Sequence, residues 1–92
     1  MPQILRVGPY VLYFWSNESD PLEYIHLHIA EGRPSANATK IWITSAGKTI
    51  ICNNNSAIPE TTLRRLMRVI EANADYIKQA WIEHFGEISY YC

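Results

Sequence analysis

The sequence predicts an α+β fold, in which an antiparallel sheet of four to five strands is packed on one face by a C-terminal helix or two joined helices. Two observations support this fold class. Up to about residue 52, apolar residues occur in short runs, several of them alternating with polar residues, between turn-forming residues, a pattern typical of strands. From residue 59 onwards they recur every three or four residues, which is typical of an amphipathic helix. Strands followed by a helical segment favour a two-layer arrangement.

Five segments have the composition of β-strands: residues 3–7, 10–15, 24–30, 38–44 and 48–52. The second segment, Tyr-Val-Leu-Tyr-Phe-Trp, is apolar at every position. A strand of this kind is covered on both faces, so we expect it inside the sheet and not at an edge. Gly8-Pro9 forms a turn before it, and the polar residues 16–21 end it.

The alternating segment 24–30, Tyr-Ile-His-Leu-His-Ile-Ala, is the centre of the prediction. As a strand it directs three branched apolar side chains to one face: Ile25, Leu27 and Ile29. The other face then carries Tyr24, His26 and His28. We expect the apolar row to face the core and the histidine row to be half-exposed or to form a site.

The segment 38–44 repeats this alternation across a hairpin loop. Ile41 and Ile43 fall on one side, and Lys40 and Trp42 fall on the other. A register that keeps the apolar rows together would place Lys40 and Trp42 on the same face as the histidines.

The helical segment covers residues 60–85. Its apolar stripe is formed by Leu63, Leu66, Met67, Ile70, Ala74, Ile77, Trp81 and Phe85. Ile58 and Leu63 have the spacing of a hydrophobic staple around Pro59, and Gly86 is a suitable C-terminal stop. One continuous helix would be about 39 Å long, which exceeds a domain with a radius of gyration of about 12 Å. A break at residues 73–75 is the alternative, although the stripe continues in phase through it.

Length and composition predict one α+β domain over residues 1–92, with 48% hydrophobic residues and a net charge of −1. That charge gives no general attraction to nucleic acids or anionic membranes. No secretory signal is recognisable, the longest apolar run is far shorter than a membrane span, and Cys52 and Cys92 do not suggest a disulfide framework. We therefore expect a cytoplasmic protein with no membrane association.

Five segments carry a resemblance to a known family. They are residues 4–10 (Ile-Leu-Arg-Val-Gly-Pro-Tyr), 14–18 (Phe-Trp-Ser-Asn-Glu), 26–29 (His-Leu-His-Ile), 63–66 (Leu-Arg-Arg-Leu) and 80–85 (Ala-Trp-Ile-Glu-His-Phe). The chain resembles the small prokaryotic proteins of domain of unknown function 4160. It departs from their pattern at residues 23–25, where Glu-Tyr-Ile stands in place of two prolines and their neighbour. The resemblance implies a gene encoded beside another small protein, as in toxin–antitoxin pairs, and therefore a small protein partner.

His26 and His28 are the candidate catalytic residues. Two histidines at i and i+2 on a strand have Cα atoms about 6.5 Å apart and parallel side chains. Such a pair is able to share a divalent metal ion or to act as general acid and base. Further metal ligands would come from Glu18, Asp20, Glu23 and His84. The structural alternative is a pair of half-exposed polar side chains that stack on Trp42.

The candidate binding residues are Tyr24, Lys40, Trp42, Arg64 and Arg68. An aromatic and basic surface is suited to a protein interface or to an RNA base and its phosphate. Phosphate-loop, serine-elbow, Cys-x-x-Cys and His-Glu-x-x-His motifs do not occur, and no cofactor is expected apart from a divalent metal.

Three functional hypotheses follow. The first is a protein-interaction component of a toxin–antitoxin-like pair. The second is a small metal-assisted or acid–base hydrolase, such as a ribonuclease, that uses His26 and His28. The third is an RNA-binding module without chemistry, and a homo-oligomer is compatible with all three.

Overall fold

The computed structural model describes residues 3–15 and 23–92, which form five strands and two helices. The elements are β1 Gln3–Val7, β2 Tyr10–Tyr13, β3 His26–Glu31, β4 Thr39–Ile43, β5 Thr49–Asn53, α1 Glu60–Ala72 and α2 Ala74–Phe85. The α+β prediction is confirmed. β2 ends two residues earlier than predicted and β3 begins two residues later. Within the described ranges, no helix is long and apolar enough to cross a membrane.

The five strands form one antiparallel sheet in the order in which they occur along the chain. β3 is therefore central, and β2 is covered by β1 and β3, as its all-apolar sequence predicts. In the β3–β4 hairpin His26 lies opposite Trp42, and His28 lies opposite Lys40. The predicted register is confirmed, and it places the polar and aromatic row on the face opposite the apolar one.

The core lies between the sheet and the two helices. The alternating branched residues of β3 and β4 are fully buried in it, and they include Leu27, Ile29, Ile41 and Ile43. The helices contribute Leu63, Leu66, Ile70, Ile77 and Trp81 to the same cluster. Complete burial of each such aliphatic side chain contributes roughly 1.5–3 kcal/mol, so this layer supplies most of the driving force for folding. We call the sheet face opposite the helices the outer face.

Asn73 separates the two helices and decides between the alternatives left open by the sequence. Its φ of −114° and ψ of 19° are not helical, and its side-chain Nδ2 donates to the Val69 carbonyl at 2.8 Å. Its backbone N–H is shared between the Val69 carbonyl at 3.2 Å and the Ile70 carbonyl at 3.0 Å, a tightening typical of a helix end. The apolar stripe nevertheless continues, because Ala74 and Ile77 are buried directly after the break.

The helical segment begins and ends as predicted. Pro59 is the N-cap of α1, and Ile58 and Leu63 on either side of it are both buried in the core. Gly86 closes α2 with a φ of 86°, and its N–H donates to the Ile82 carbonyl at 2.7 Å.

Replacing Gly86 with alanine is expected to lower the free energy of unfolding by about 1 kcal/mol. A Cβ at this position would meet no other atom within 4 Å, so the cost comes from the left-handed backbone alone. Urea denaturation would measure it. Gly86→Asn is the matched control and should lower the free energy of unfolding by less, because asparagine tolerates this conformation. An alanine variant as stable as the parent would contradict the assigned cap.

The C-terminal tail, residues 87–92, crosses one end of the sheet. The Ile25 N–H donates to the Ser89 carbonyl at 2.9 Å, and the Ser45 N–H donates to the Cys92 carbonyl at 3.0 Å. These bonds attach the tail just before β3 and just after β4. The tail therefore reaches from the end of α2 to the outer face.

Candidate functional site

A row of four side chains crosses the outer face from strand to strand. Tyr13 on β2 lies opposite His28 on β3, His28 lies opposite Lys40 on β4, and Lys40 lies opposite Asn53 on β5. Directly paired residues in an antiparallel sheet share a face and stand close enough to interact. The sequence therefore assembles tyrosine, histidine, lysine and asparagine side by side.

A β-bulge in β5 alters the end of this row. Lys40 pairs with Asn53 but the next residue, Ile41, pairs with Ile51, so Cys52 is an extra residue on β5. Bulges bend a strand and re-aim its side chains, and they are common beside functional sites. Here both Cys52 and Asn53 line a groove on the outer face.

His26 and His28 are buried, with exposed fractions of 0% and 3%. The expectation that they are half-exposed on an open sheet face is wrong. The His26 ring contacts Trp42 at 5.5 Å and Trp81 at 5.4 Å between centroids, and the His28 ring stacks on Tyr13 at 5.6 Å. Aromatic neighbours from β2, β4 and α2 thus cover the two imidazoles, and Trp42 contacts His26 edge-on and not as a stack.

Each histidine is oriented by a backbone carbonyl. Nδ1 of His26 lies 2.7 Å from the Tyr24 carbonyl oxygen, and Nδ1 of His28 lies 3.3 Å from that of Ala38. A carbonyl oxygen only accepts, so both Nδ1 atoms donate a hydrogen to it. The ring centroids are 5.2 Å apart with planes at 86°, which differs from the parallel pair expected of a shared metal site.

The predicted metal ligands do not gather around this pair in the described part of the chain. No group of three or more histidine, cysteine or acidic side chains in residues 3–15 and 23–92 is placed to bind a metal ion. Glu23 is 2.8 Å from the Lys40 Nζ, and His84 is an exposed residue of α2. Glu18 and Asp20 lie outside the described residues.

Tyr13 holds the β3–β4 loop against the outer face. Its hydroxyl donates to the Ser35 carbonyl at 2.6 Å and accepts from the Ser35 N–H at 2.9 Å. Trp15 contacts the Tyr13 ring edge-on at 6.3 Å. Neither residue was among the predicted site residues, although the alternation of residues 10–15 would have placed both on the histidine side of the sheet.

Three aromatic residues cluster at the end of the outer face, and we call them the aromatic patch: Tyr24, Trp42 and Tyr91. Tyr91 stacks on Trp42 at 5.1 Å with planes 7° apart, and Tyr24 lies edge-on to both rings at 6.0 Å. Together with Glu23 they line a groove of about 410 Å³. Tyr24 is 46% exposed and Tyr91 is 56% exposed, so two large rings face solvent side by side.

A comparison with known protein families matches residues 10–82 to the domain of unknown function DUF4160. The chain belongs to this family. The match confirms the resemblance inferred from the sequence motifs. No curated protein and no solved structure matched the chain.

The DUF4160 match includes both histidines, Lys40 and Trp42, but it ends before Tyr91. The tail residue that completes the aromatic patch is thus outside the matched region. The position of Tyr91 also could not be predicted from the periodicity of the sequence, because the tail forms neither a strand nor a helix.

The structure does not join the two halves of the predicted binding surface of this DUF4160 member. Lys40 and Trp42 lie on the outer face, whereas Arg64 and Arg68 are exposed on α1, in the layer on the opposite side of the sheet. Arg64 is also paired with Glu60 at 2.6 Å. The helices cover the apolar face, so Arg64 and Arg68 lie on the other side of the sheet from the aromatic patch.

Proposed function

We propose that this DUF4160 member is a protein-interaction component that binds a small protein partner through the aromatic patch. The observation that carries the proposal is the adjacency of Tyr24 and Tyr91, two exposed rings 6.0 Å apart around Trp42. Tyrosine and tryptophan are enriched at the centres of protein interfaces, and exposed aromatic side chains grouped in one place mark interaction sites.

The chemistry of the patch favours a basic side chain on the partner. The Lys40 Nζ lies 4.5 Å from the centre of the Trp42 ring and 2.8 Å from the Glu23 carboxylate. The Trp42 ring and the Glu23 carboxylate thus both contact a cation. An arginine or lysine of the partner would find two further aromatic faces at Tyr24 and Tyr91, since aromatic faces attract cations.

The identity of the partner follows from the family resemblance. Members are often encoded beside another small protein in an arrangement similar to toxin–antitoxin pairs. We therefore propose that the product of the adjacent gene is the partner, and that this protein is one half of such a pair.

Replacing both exposed tyrosines, Tyr24→Ser with Tyr91→Ser, is expected to raise the Kd for the co-expressed neighbouring gene product by about 30-fold or more, a loss of about 2 kcal/mol. Both side chains are largely exposed, so the fold should be retained. Gel filtration after co-expression and titration calorimetry would measure the change.

Tyr76→Ser is the matched control, because Tyr76 is 57% exposed on α2, outside the aromatic patch. Its Kd should equal that of the parent protein. Failure of the parent and the neighbouring product to co-elute at micromolar concentration would reject the proposal. An equal loss in the Tyr76 variant would reject the aromatic patch as the contact surface.

A further inference from the structure

A second groove, of about 340 Å³, lies on the outer face beside the aromatic patch. Its base includes His28, which is 3% exposed, and its other lining residues include Trp15, Glu23, Asn37, Lys40, Asn53 and Asn55. We call it the amide groove after its three asparagines. We propose that the amide groove binds a single nucleobase, carried by a nucleoside or by single-stranded RNA.

The asparagines supply the hydrogen-bonding groups that a base requires. A side-chain amide offers two donor hydrogens and a carbonyl acceptor, which matches the mixed donors and acceptors on the edge of a base. In residues 3–15 and 23–92 the side-chain amides of Asn37 and Asn55 make no hydrogen bond to the protein. The Asn53 Oδ1 accepts from the Asn55 N–H at 3.1 Å, which sets the direction of the Asn53 amide.

Trp15 supplies a ring on which a base could stack. It is half-buried at the wall of the groove, and the Tyr13 ring supports it edge-on at 6.3 Å. Tyr13 in turn stacks on His28 and is fastened to the β3–β4 loop at Ser35. A tryptophan held in this way loses little freedom when a ligand arrives, and aromatic stacking is the most general way in which proteins bind single bases.

The charge of the amide groove favours an uncharged ring over a phosphate. Among the described residues that line it, Lys40 and Glu23 lie 2.8 Å apart, so their charges offset each other. Arg64 and Arg68 belong to the helical layer on the other side of the sheet. A volume near the lower limit of small-molecule pockets suits one heterocycle and not a longer ligand. The amide groove would therefore recognise the base and not the phosphate of a nucleotide.

The β-bulge at Cys52 gives the groove its polar far wall. Without the extra residue, Asn53 would alternate to the helical face, and Lys40 would lie opposite Cys52. With it, Asn53 lies opposite Lys40 and both line the groove. The irregularity thus adds an amide to the lining of the groove.

The experiment follows the three indole N–H signals of the ¹⁵N-labelled protein, alone in solution, by NMR during titration. The probes are the four ribonucleosides in one arm and single-stranded hexanucleotide RNAs in the other. We expect the Trp15 signal to shift and saturate, and we expect Asn55→Ala to weaken binding by about tenfold, the effect of losing one hydrogen bond to the base. Asn55 is exposed, so this variant should fold.

Gln79→Ala is the matched control, because Gln79 is an exposed amide on α2 whose partner is Glu83. It should bind like the parent. Saturable binding of nucleosides identifies a free nucleoside as the source, and saturation by RNA alone identifies a base within a strand; both support the proposal. A Trp15 signal unmoved by millimolar nucleoside and by RNA would overturn it, as would equal weakening by Gln79→Ala. The test contains no partner protein, so its outcome is independent of the proposed interaction.

Discussion

Trp81→Ala is expected to lower the free energy of unfolding by about 3–5 kcal/mol. Trp81 is completely buried and joins the two layers of the fold. Its ring contacts Phe85 at 4.2 Å and Phe14 at 5.0 Å, and from α2 it also reaches His26 at 5.4 Å. Alanine would leave a cavity between the sheet and the helices, which surrounding side chains fill only in part.

Urea denaturation followed by far-UV circular dichroism would measure this loss. Trp81→Phe is the matched control and should cost much less. Phenylalanine keeps most of the ring volume and removes an indole N–H that is buried without a hydrogen-bond partner among the described residues. Tyr76→Ala, at an exposed site, should change the free energy by less than about 0.5 kcal/mol. A Trp81→Ala variant within that same limit would show that α2 does not pack as described.

His26→Ala is expected to lower the free energy of unfolding by about 2–4 kcal/mol, through the cavity left by the ring and the loss of its hydrogen bond. The ring is fully buried and touches His28, Trp42 and Trp81. Its Nδ1 donates to the Tyr24 carbonyl, which would lose that partner in the variant. The effect would be measured by the same urea titration.

His84→Ala is the matched control, because His84 is an exposed histidine, and it should leave the free energy of unfolding within about 0.5 kcal/mol of the parent. A His26→Ala variant as stable as the parent would contradict the packing role. The stability of the His26→Ala variant also matters for the hydrolase hypothesis. Loss of activity or toxicity in a His26 or His28 variant would support catalysis only if the variant is shown to remain folded.

The sheet and the helices were predictable because their signals are local. Alternation in residues 24–30 and 38–44 determines which side chains face the helices, and the shared apolar rows determine the register of that hairpin. The stripe from Leu63 to Trp81 likewise requires only the 3.6-residue period. These patterns depend on residues close together in the sequence, so they can be recognised from a single sequence.

The burial of the histidines was not predictable in the same way. It depends on Trp81, which follows them by more than half the chain, and on Tyr13 from another strand. The end of α1 lies at Asn73, whose non-helical backbone angles periodicity does not reveal. The aromatic patch needs Tyr91, placed by two backbone bonds of an irregular tail. Each of these features arises from packing between segments distant in sequence.

The tail has a consequence for how partner binding would be controlled. Two backbone hydrogen bonds, at Ile25 and Ser45, and the packing of Ile88 and Tyr90 against the core attach it, whereas the five strands are held by ladders of backbone hydrogen bonds. Detachment of the tail would separate Tyr91 from Trp42 and leave the sheet paired, so we expect the aromatic patch to open without unfolding of the sheet. A partner that contacts both Tyr24 and Tyr91 binds only the closed form. Its affinity would therefore depend on the fraction of molecules in which the tail is docked.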